Sequence, residues 1–262
     1  MPTWRNPRFA HDHLGLTAGV SAISIVGTST VAAGFPLDRL IDDRHGIQFK
    51  FGESVNTHWI QFDLGAALPT FKRVFIPNHN LNGGWVQIDE DDNSGHSTPN
   101  NLYAATQVTS ADDLSIELGT ASAQQFIRIS FPTVAGQWAL GQIRLTNTVT
   151  TERGPKPDWI DEPRPNVSSF HSGATTQDDP DQRFIEYVYR WVNGADLVVL
   201  DALVAAMSTH RPFLLDTPWE TPDGTENLFV KLVRIRSTGD TDNPQADGEF
   251  KKFTLAMEQS LL

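Results

Sequence analysis

From His58 to Leu64 the chain alternates, with Ile60, Phe62 and Leu64 on one side and Trp59, Gln61 and Asp63 on the other. Period-two alternation over several residues marks a strand with one buried face. Further short runs follow at Arg73–Ile76, Trp85–Asp89, Leu114–Leu118, Phe126–Phe131 and Leu140–Thr146. Clusters of Gly, Pro, Asn and Asp separate them, notably Asn78–Gly84 and Asp91–Asn101. Such residues supply the turn conformations that strands cannot. Many short strands and no long amphipathic helix predict an antiparallel β-sandwich or barrel for the first half.

The second half has another grammar. Phe184–Val192 alternates, with Ile185, Tyr187, Tyr189 and Trp191 on one face and Glu186 and Arg190 on the other. Asn193 is placed to cap a helix, with Asp196 near its positive end. Leu197, Leu200, Val204 and Met207 then recur at a spacing of three or four, which gives one apolar stripe. The helix is expected to stop before Pro212, and Phe213–Leu215 reads as a short buried strand. Leu228–Arg236 and Phe250–Glu258 read as two longer strands joined by a polar loop, Ser237–Gly248. This order predicts a small α+β unit with its helix packed on one face of a sheet.

Four of the 16 prolines fall within Glu152–Val167. Repeated X-Pro steps favour extended backbone and forbid a helix, so this segment reads as a semi-rigid linker. The predicted organisation is an N-terminal arm over 1–29, a sandwich over 30–150, a Pro-rich linker over 151–167 and an α+β oligomerisation or docking domain over 168–262.

Charge and composition narrow the function. The 262 residues carry 20 Lys+Arg and 32 Asp+Glu, a net charge of −12. That field repels phosphate backbones and argues against nucleic-acid partners. The excess is uneven: residues 1–150 hold 9 basic and 13 acidic side chains, residues 151–262 hold 11 and 19. Cysteine is absent, which removes disulfides, thiolate metal sites and cysteine nucleophiles. No apolar run approaches the roughly 18 residues of a membrane span. Phe9–Leu14 contains His11, Asp12 and His13 where a secretory signal needs an apolar region, so synthesis and folding in the cytoplasm are expected.

Recognisable enzyme motifs are missing. Gly52-Glu53-Ser54-Val55-Asn56 lacks the second glycine of a nucleophile elbow, and no P-loop, G-x-G-x-x-G or H-E-x-x-H pattern occurs. No catalytic residue, metal ligand or cofactor is expected. His11-Asp12-His13 reads as a solvated arm. Asp89, Asp91 and Asn93 match the first alternating ligands of a calcium loop, but Ser94 and Asn100 stand at its two diagnostic positions. A loop tip rich in carboxylates is the better reading, with an irregular calcium site left open. Of the seven tryptophans, Trp59 and Trp191 lie inside strand patterns and are expected in cores. Trp85, Trp138 and Trp219 border turns and are candidates for exposure.

Phe35-Pro36-Leu37-Asp38-Arg39-Leu40-Ile41-Asp42-Asp43, then His58-Trp59-Ile60-Gln61-Phe62-Asp63-Leu64-Gly65, then Arg73-Val74-Phe75-Ile76-Pro77-Asn78-His79-Asn80-Leu81 form a familiar series. Together with Phe126-Ile127-Arg128-Ile129 and Gly141-Gln142-Ile143-Arg144-Leu145, it resembles the discoidin (F5/8 type C) family of galactose-binding-like sandwiches over residues 30–148. The resemblance departs at Asp42-Asp43-Arg44-His45, where many members have Asp-Gly, and in the missing disulfide. It implies ligand loops at Asp42–Gln48 and Asn78–Gly84, with Asp43, His45, His79, Asn80 and Trp85 as ligand-binding residues.

The Asn78–Leu81 step and the second half also resemble bacteriophage tail-tip and baseplate proteins of the distal-tail type, although there the ring-forming domain usually comes first. That resemblance implies a non-enzymatic virion protein, assembled in the host cytoplasm as a cyclic homo-oligomer. Its partners would be tail tube, hub or fibre components, with a host glycan as a further ligand. The alternative is a freestanding carbohydrate-binding module or adhesin. A glycoside hydrolase or depolymerase is a third and weaker reading.

Overall fold

The computed structural model describes residues 8–10, 22–26, 30–41, 47–52, 57–65, 70–109, 113–132, 138–150, 160–163, 166–169, 175–178, 183–192, 194–207, 213–216, 230–242 and 251–259. In chain order its strands begin with β1 (Arg8–Ala10), β2 (Ala22–Val26), β3 (Phe49–Lys50), β4 (Thr57–Asp63), β5 (Arg73–Ile76) and β6 (Trp85–Asp91). Then follow β7 (Asn100–Gln107), β8 (Leu114–Glu117), β9 (Phe126–Pro132), β10 (Ala139–Leu140) and β11 (Arg144–Thr146). The remainder are β12 (Val149–Thr150), β13 (Ile160–Pro163), β14 (Asn166–Ser169), β15 (Thr175–Asp178), β16 (Arg183–Val192), β17 (Phe213–Asp216), β18 (Val230–Asp242) and β19 (Lys251–Gln259). One helix, α1 (Gly194–Met207), lies between β16 and β17.

Two compact units divide the chain: Asp12–Asn147, and Met1–His11 with Thr148–Leu261. The first is a β-sandwich. Its larger sheet has the order β2-β4-β9-β6-β7; a smaller one runs β11-β5-β8, and β10 pairs with β3. Every described pairing is antiparallel. Alternation decides what meets inside. His58, Ile60 and Phe62 of β4 stand opposite Phe131, Ile129 and Ile127 of β9, and Ile88 of β6 again meets Ile129. On the smaller sheet Val74 is flanked by Leu145 and Ile116. The apolar residues among these join Phe49, Phe51, Phe71, Trp138 and Leu140 in one core. Each fully buried large apolar side chain contributes roughly 1.5–3 kcal/mol.

Most strands of the sandwich lie where the alternation puts them. The expected Leu140–Thr146 strand is instead split into β10 and β11, with Gly141 between them set so close to Pro77 that a Cβ there would meet the Pro77 carbonyl. The Asp91–Asn101 turn cluster ends at Asn100, where β7 starts. That strand buries only Leu102 well, so its sequence lacks clean alternation. Trp138 is core, 7 % exposed, and not a surface aromatic. Trp219 and the His11–His13 arm lie outside the described residues, as do Asn193 and the side chain of Trp191.

The second unit contains a seven-stranded antiparallel sheet ordered β12-β1-β17-β18-β19-β16-β13 and a separate β14–β15 hairpin. The start of the chain enters it, with Arg8–Ala10 between β12 and β17. Within the expected linker, Ile160–Pro163 pairs with β16. The helix packs against β16 and β18, the α+β arrangement anticipated. Its buried side is Asp196, Leu200 and Leu203, with Leu197 and Val204 only half-buried. The expected Ser237–Gly248 loop is corrected: β18 continues to Asp242, and Ser237–Asp242 pairs with Lys251–Ala256 beyond a register shift at Ile235. Polar, alternation-free residues hold strand geometry there because the partner strand supplies the hydrogen bonds.

Candidate functional site

The Asn78–Gly84 loop singled out by sequence is stitched into the sandwich. Asn78 adopts φ +49, donates its N–H to Asp113 Oδ1 at 3.0 Å, and accepts from Gln48 Nε2 through both its backbone and side-chain oxygens. His79 is buried, and its Nδ1 accepts the Leu81 N–H at 3.1 Å. Asn80 lies at the surface, yet its Oδ1 accepts the Ala139 N–H at 2.7 Å while its own N–H donates to the Ala139 carbonyl. Both residues therefore shape and anchor a loop. Asp43 and His45 lie outside the described residues. Trp85 is half-buried at the start of β6, two positions before Gln87 on the same strand face.

That face carries an open cleft. The polar members of β4, β9 and β6 point away from the core in register. Ser130 of β9 stands between Trp59 and Gln87, and Arg128 stands between Gln61 and Asp89. Trp59, Ser130, Gln87, Arg128 and Asp89, with Thr57, Pro132, His96 and Pro99, line this open cleft of about 240 Å³ on the outer face of the sheet. Pockets for drug-sized ligands run roughly 300–1,000 Å³, so this one fits a single small ring better than an extended organic ligand.

Hydrogen bonds fix several of the walls. Asp89 accepts from Gln87 Nε2 at 2.7 Å and from Asn101 Nδ2 at 2.8 Å. Arg128 donates from Nη2 to Gln61 Oε1 at 3.2 Å, with its guanidinium carbon 4.8 Å from the centre of the Trp59 ring. The expectation that Trp59 is core is corrected: odd-numbered positions of β4 face outward, and Trp59 is half-buried beneath Arg128.

The acidic run Asp89–Asp92 is divided by the same alternation. Asp89 faces the cleft. Glu90 points the other way, and its Oε2 accepts the N–H groups of Ala123 and Gln124 while Oε1 accepts from Asn100. Asp91 accepts the N–H groups of Asn93 and Thr98 and so shapes the loop that carries His96. Burial alone would raise the Asp91 pKa, but these two donors, with Asp92 and His96 adding to them, hold it below the usual 3.8. Among the described residues no group of three His, Asp, Glu or Cys side chains is placed to hold a metal ion.

His96 sits at φ +49 on the turn after β6, its N–H donating to the Asn93 carbonyl at 2.9 Å. It is 8 % exposed, and both ring nitrogens are buried without a hydrogen-bond partner, as is Arg128 Nε. Burial, and then the adjacent Arg128 guanidinium, hold the imidazole below its ordinary 6.5 against the opposing pull of Asp91 and Asp89. Arg128 is likewise lowered by burial, with Asp89 and Asp91 opposing. Ser130, His96 and Asp89 share the cleft, but no hydrogen bond joins His96 to either, so they are not wired as a nucleophile and base.

Sequence reading named Trp85 on this face and missed Gln87, Arg128 and His96. The usable signal was the polar half of three alternating strands: Trp59 and Gln61, Gln87 and Asp89, Arg128 and Ser130.

No protein-family model matches the chain, and no curated protein does. Among solved structures it is similar to chitosan-binding module 1 of a chitosanase/glucanase from Paenibacillus sp. IK-5, at 20 % identity and a TM-score of 0.43, over 52 % of this chain and 98 % of that one. CBM32-1 from a family 31 glycoside hydrolase of Clostridium perfringens is similar at 13 % identity and a TM-score of 0.40, over 49 % of this chain and 96 % of that one. The CBM32 of AlyQ, in complex with 4,5-unsaturated mannuronic acid, is similar at 17 % identity and a TM-score of 0.37, over 48 % of this chain and 94 % of that one.

Proposed function

We propose that the sandwich unit is a non-catalytic carbohydrate-binding module, the reading placed second from sequence, and that it holds sugar in the outer-face cleft. The observation that carries this is the cleft's composition. One tryptophan lies among planar polar side chains, Gln87, Asp89, Arg128 and His96, around a space sized for one ring. Sugars present apolar C–H faces and a rim of hydroxyls, so they bind where an aromatic wall adjoins donors and acceptors held in fixed positions. A glycan array probed with the whole chain tests it, followed by calorimetry on the hits. Saturable binding lost in Trp59→Ala, with folding intact, supports the proposal; no binding across the array rejects it.

A second reading, a ring-forming structural component of a phage tail, draws on the second unit. In its seven-stranded sheet the terminal strands β12 and β13 have a neighbour on one side only among the described strands. Exposed strand edges invite pairing with another copy. Light scattering on purified protein at high concentration tests this: a stable ring supports it, and a strict monomer rejects it.

A further inference from the structure

We infer that His96 is the residue that selects the ligand of the outer-face cleft, and that the cleft accepts an uncharged hydroxylated ring while discriminating against its carboxylated counterpart. This rests on the sugar-binding reading above. The observation behind it is the pair of buried, unpartnered ring nitrogens in a residue that forms one wall of the cleft. A buried polar atom without a partner is a standing cost that a bound molecule can remove by supplying one. Asn93 and Asp91 fix the loop backbone around His96, so turning the ring about its Cβ–Cγ bond is the available way to present either nitrogen to a ligand.

The charges around His96 decide what that ligand can be. Strand β6 brings Asp89 and Asp91, and β9 brings Arg128. Strand β4 contributes Trp59 and Thr57, and Asn101 of β7 is bound to Asp89; none of these is charged. Two carboxylates therefore face one guanidinium, and a carboxylate on the ligand would be a third. A neutral imidazole offers one donor and one acceptor, the same combination as a sugar hydroxyl. Protonation removes the acceptor and sets a second cation beside Arg128. The lowered pKa of His96 keeps the neutral form dominant at neutral pH.

The test is calorimetric titration of the whole protein with the methyl glycosides of galactose, glucose and mannose, and with galacturonate and glucuronate, at about pH 7.5 and about pH 5. His96→Asn is the variant of choice because asparagine tolerates the positive φ at this position. The wild type is expected to bind an uncharged glycoside about tenfold more weakly once pH falls below the lowered pKa of His96, and at about pH 7.5 to bind the matching uronate more weakly than the neutral sugar. His96→Asn is expected to bind more weakly than wild type at about pH 7.5 and to lose the pH dependence. Wild-type affinity that ignores pH, an unchanged pH profile in His96→Asn, or a uronate bound as tightly as its neutral sugar overturns the inference and leaves the sugar-binding reading standing. Absence of any binding sensitive to Trp59→Ala overturns both.

Discussion

The guanidinium of Arg128 lies over the indole of Trp59, 4.8 Å from carbon to ring centre, across adjacent strands of one sheet face. Arg128 is opposite Gln61 in the ladder and Trp59 is opposite Ser130, so the contact is the diagonal one that long and aromatic side chains make. It orients the cationic wall of the cleft relative to its aromatic wall. Removing the ring by Trp59→Ala is expected to weaken glycan binding by about tenfold or more and to release Arg128. Trp59→Phe should retain part of the affinity, since it keeps a smaller aromatic face. Calorimetry on both variants, beside their urea unfolding curves, separates loss of binding from loss of fold.

Glu90 belongs to stability and not to the site. Its carboxylate holds three donors on neighbouring segments, and Glu90→Ala leaves all three without it. An expected loss of about 2–4 kcal/mol follows from removing charged acceptors from partly buried donors. Urea denaturation should show the lower midpoint, while glycan affinity at a temperature where the variant is folded should stay within twofold of wild type.

Asn80 and Gly141 secure the loop that sequence reading assigned to ligand binding. Asn80→Ala removes the acceptor for the Ala139 N–H and is expected to cost about 1–2 kcal/mol with little change in binding. Gly141→Ala sets a Cβ against the Pro77 carbonyl and its neighbour Asn78, which forces the closing segment away from the loop. An expected cost of about 1–3 kcal/mol or more follows from that overlap. Thermal unfolding of both variants provides the measurement. A large loss of sugar affinity in folded Asn80→Ala would return the ligand site to the loop end.

Acid should act on the fold through His96. Its pKa in the folded protein lies below 6.5, the value of an exposed imidazole, because burial and Arg128 disfavour the charged form. Between those two values the unfolded chain binds more protons than the folded one, so stability rises with pH across that window and falls as pH drops through it. Asp91 adds a second loss at lower pH. Held below 3.8, it contributes stability above that value and loses it as pH falls through its own lower pKa. In ligand-free protein, chemical denaturation from about pH 7 to about pH 5 should show declining stability in wild type and a flatter profile in His96→Asn.

The strands of the sandwich could be read from alternation alone, because Ile60, Phe62, Val74, Ile88, Ile127 and Ile129 have no other favourable place than a buried sheet face. The same period assigned Trp59 to a strand but not to a side. Two faces of a strand differ by one position, and a large aromatic ring stabilises either one. Only the pairing of β9 with both β4 and β6 put Trp59, Arg128 and Asp89 on one surface. His96 carried no sequence signal, since its isolation from partners arises from the way the loop that carries it, shaped by Asp91, sets it in the sheet face. His79 and Asn80 carried a signal for a loop, and the tertiary structure turned that signal into anchoring. Alternation and turn chemistry are local and survive in one dimension. A cleft is a coincidence of side chains tens of residues apart, and that coincidence exists only once the ladders have set their register.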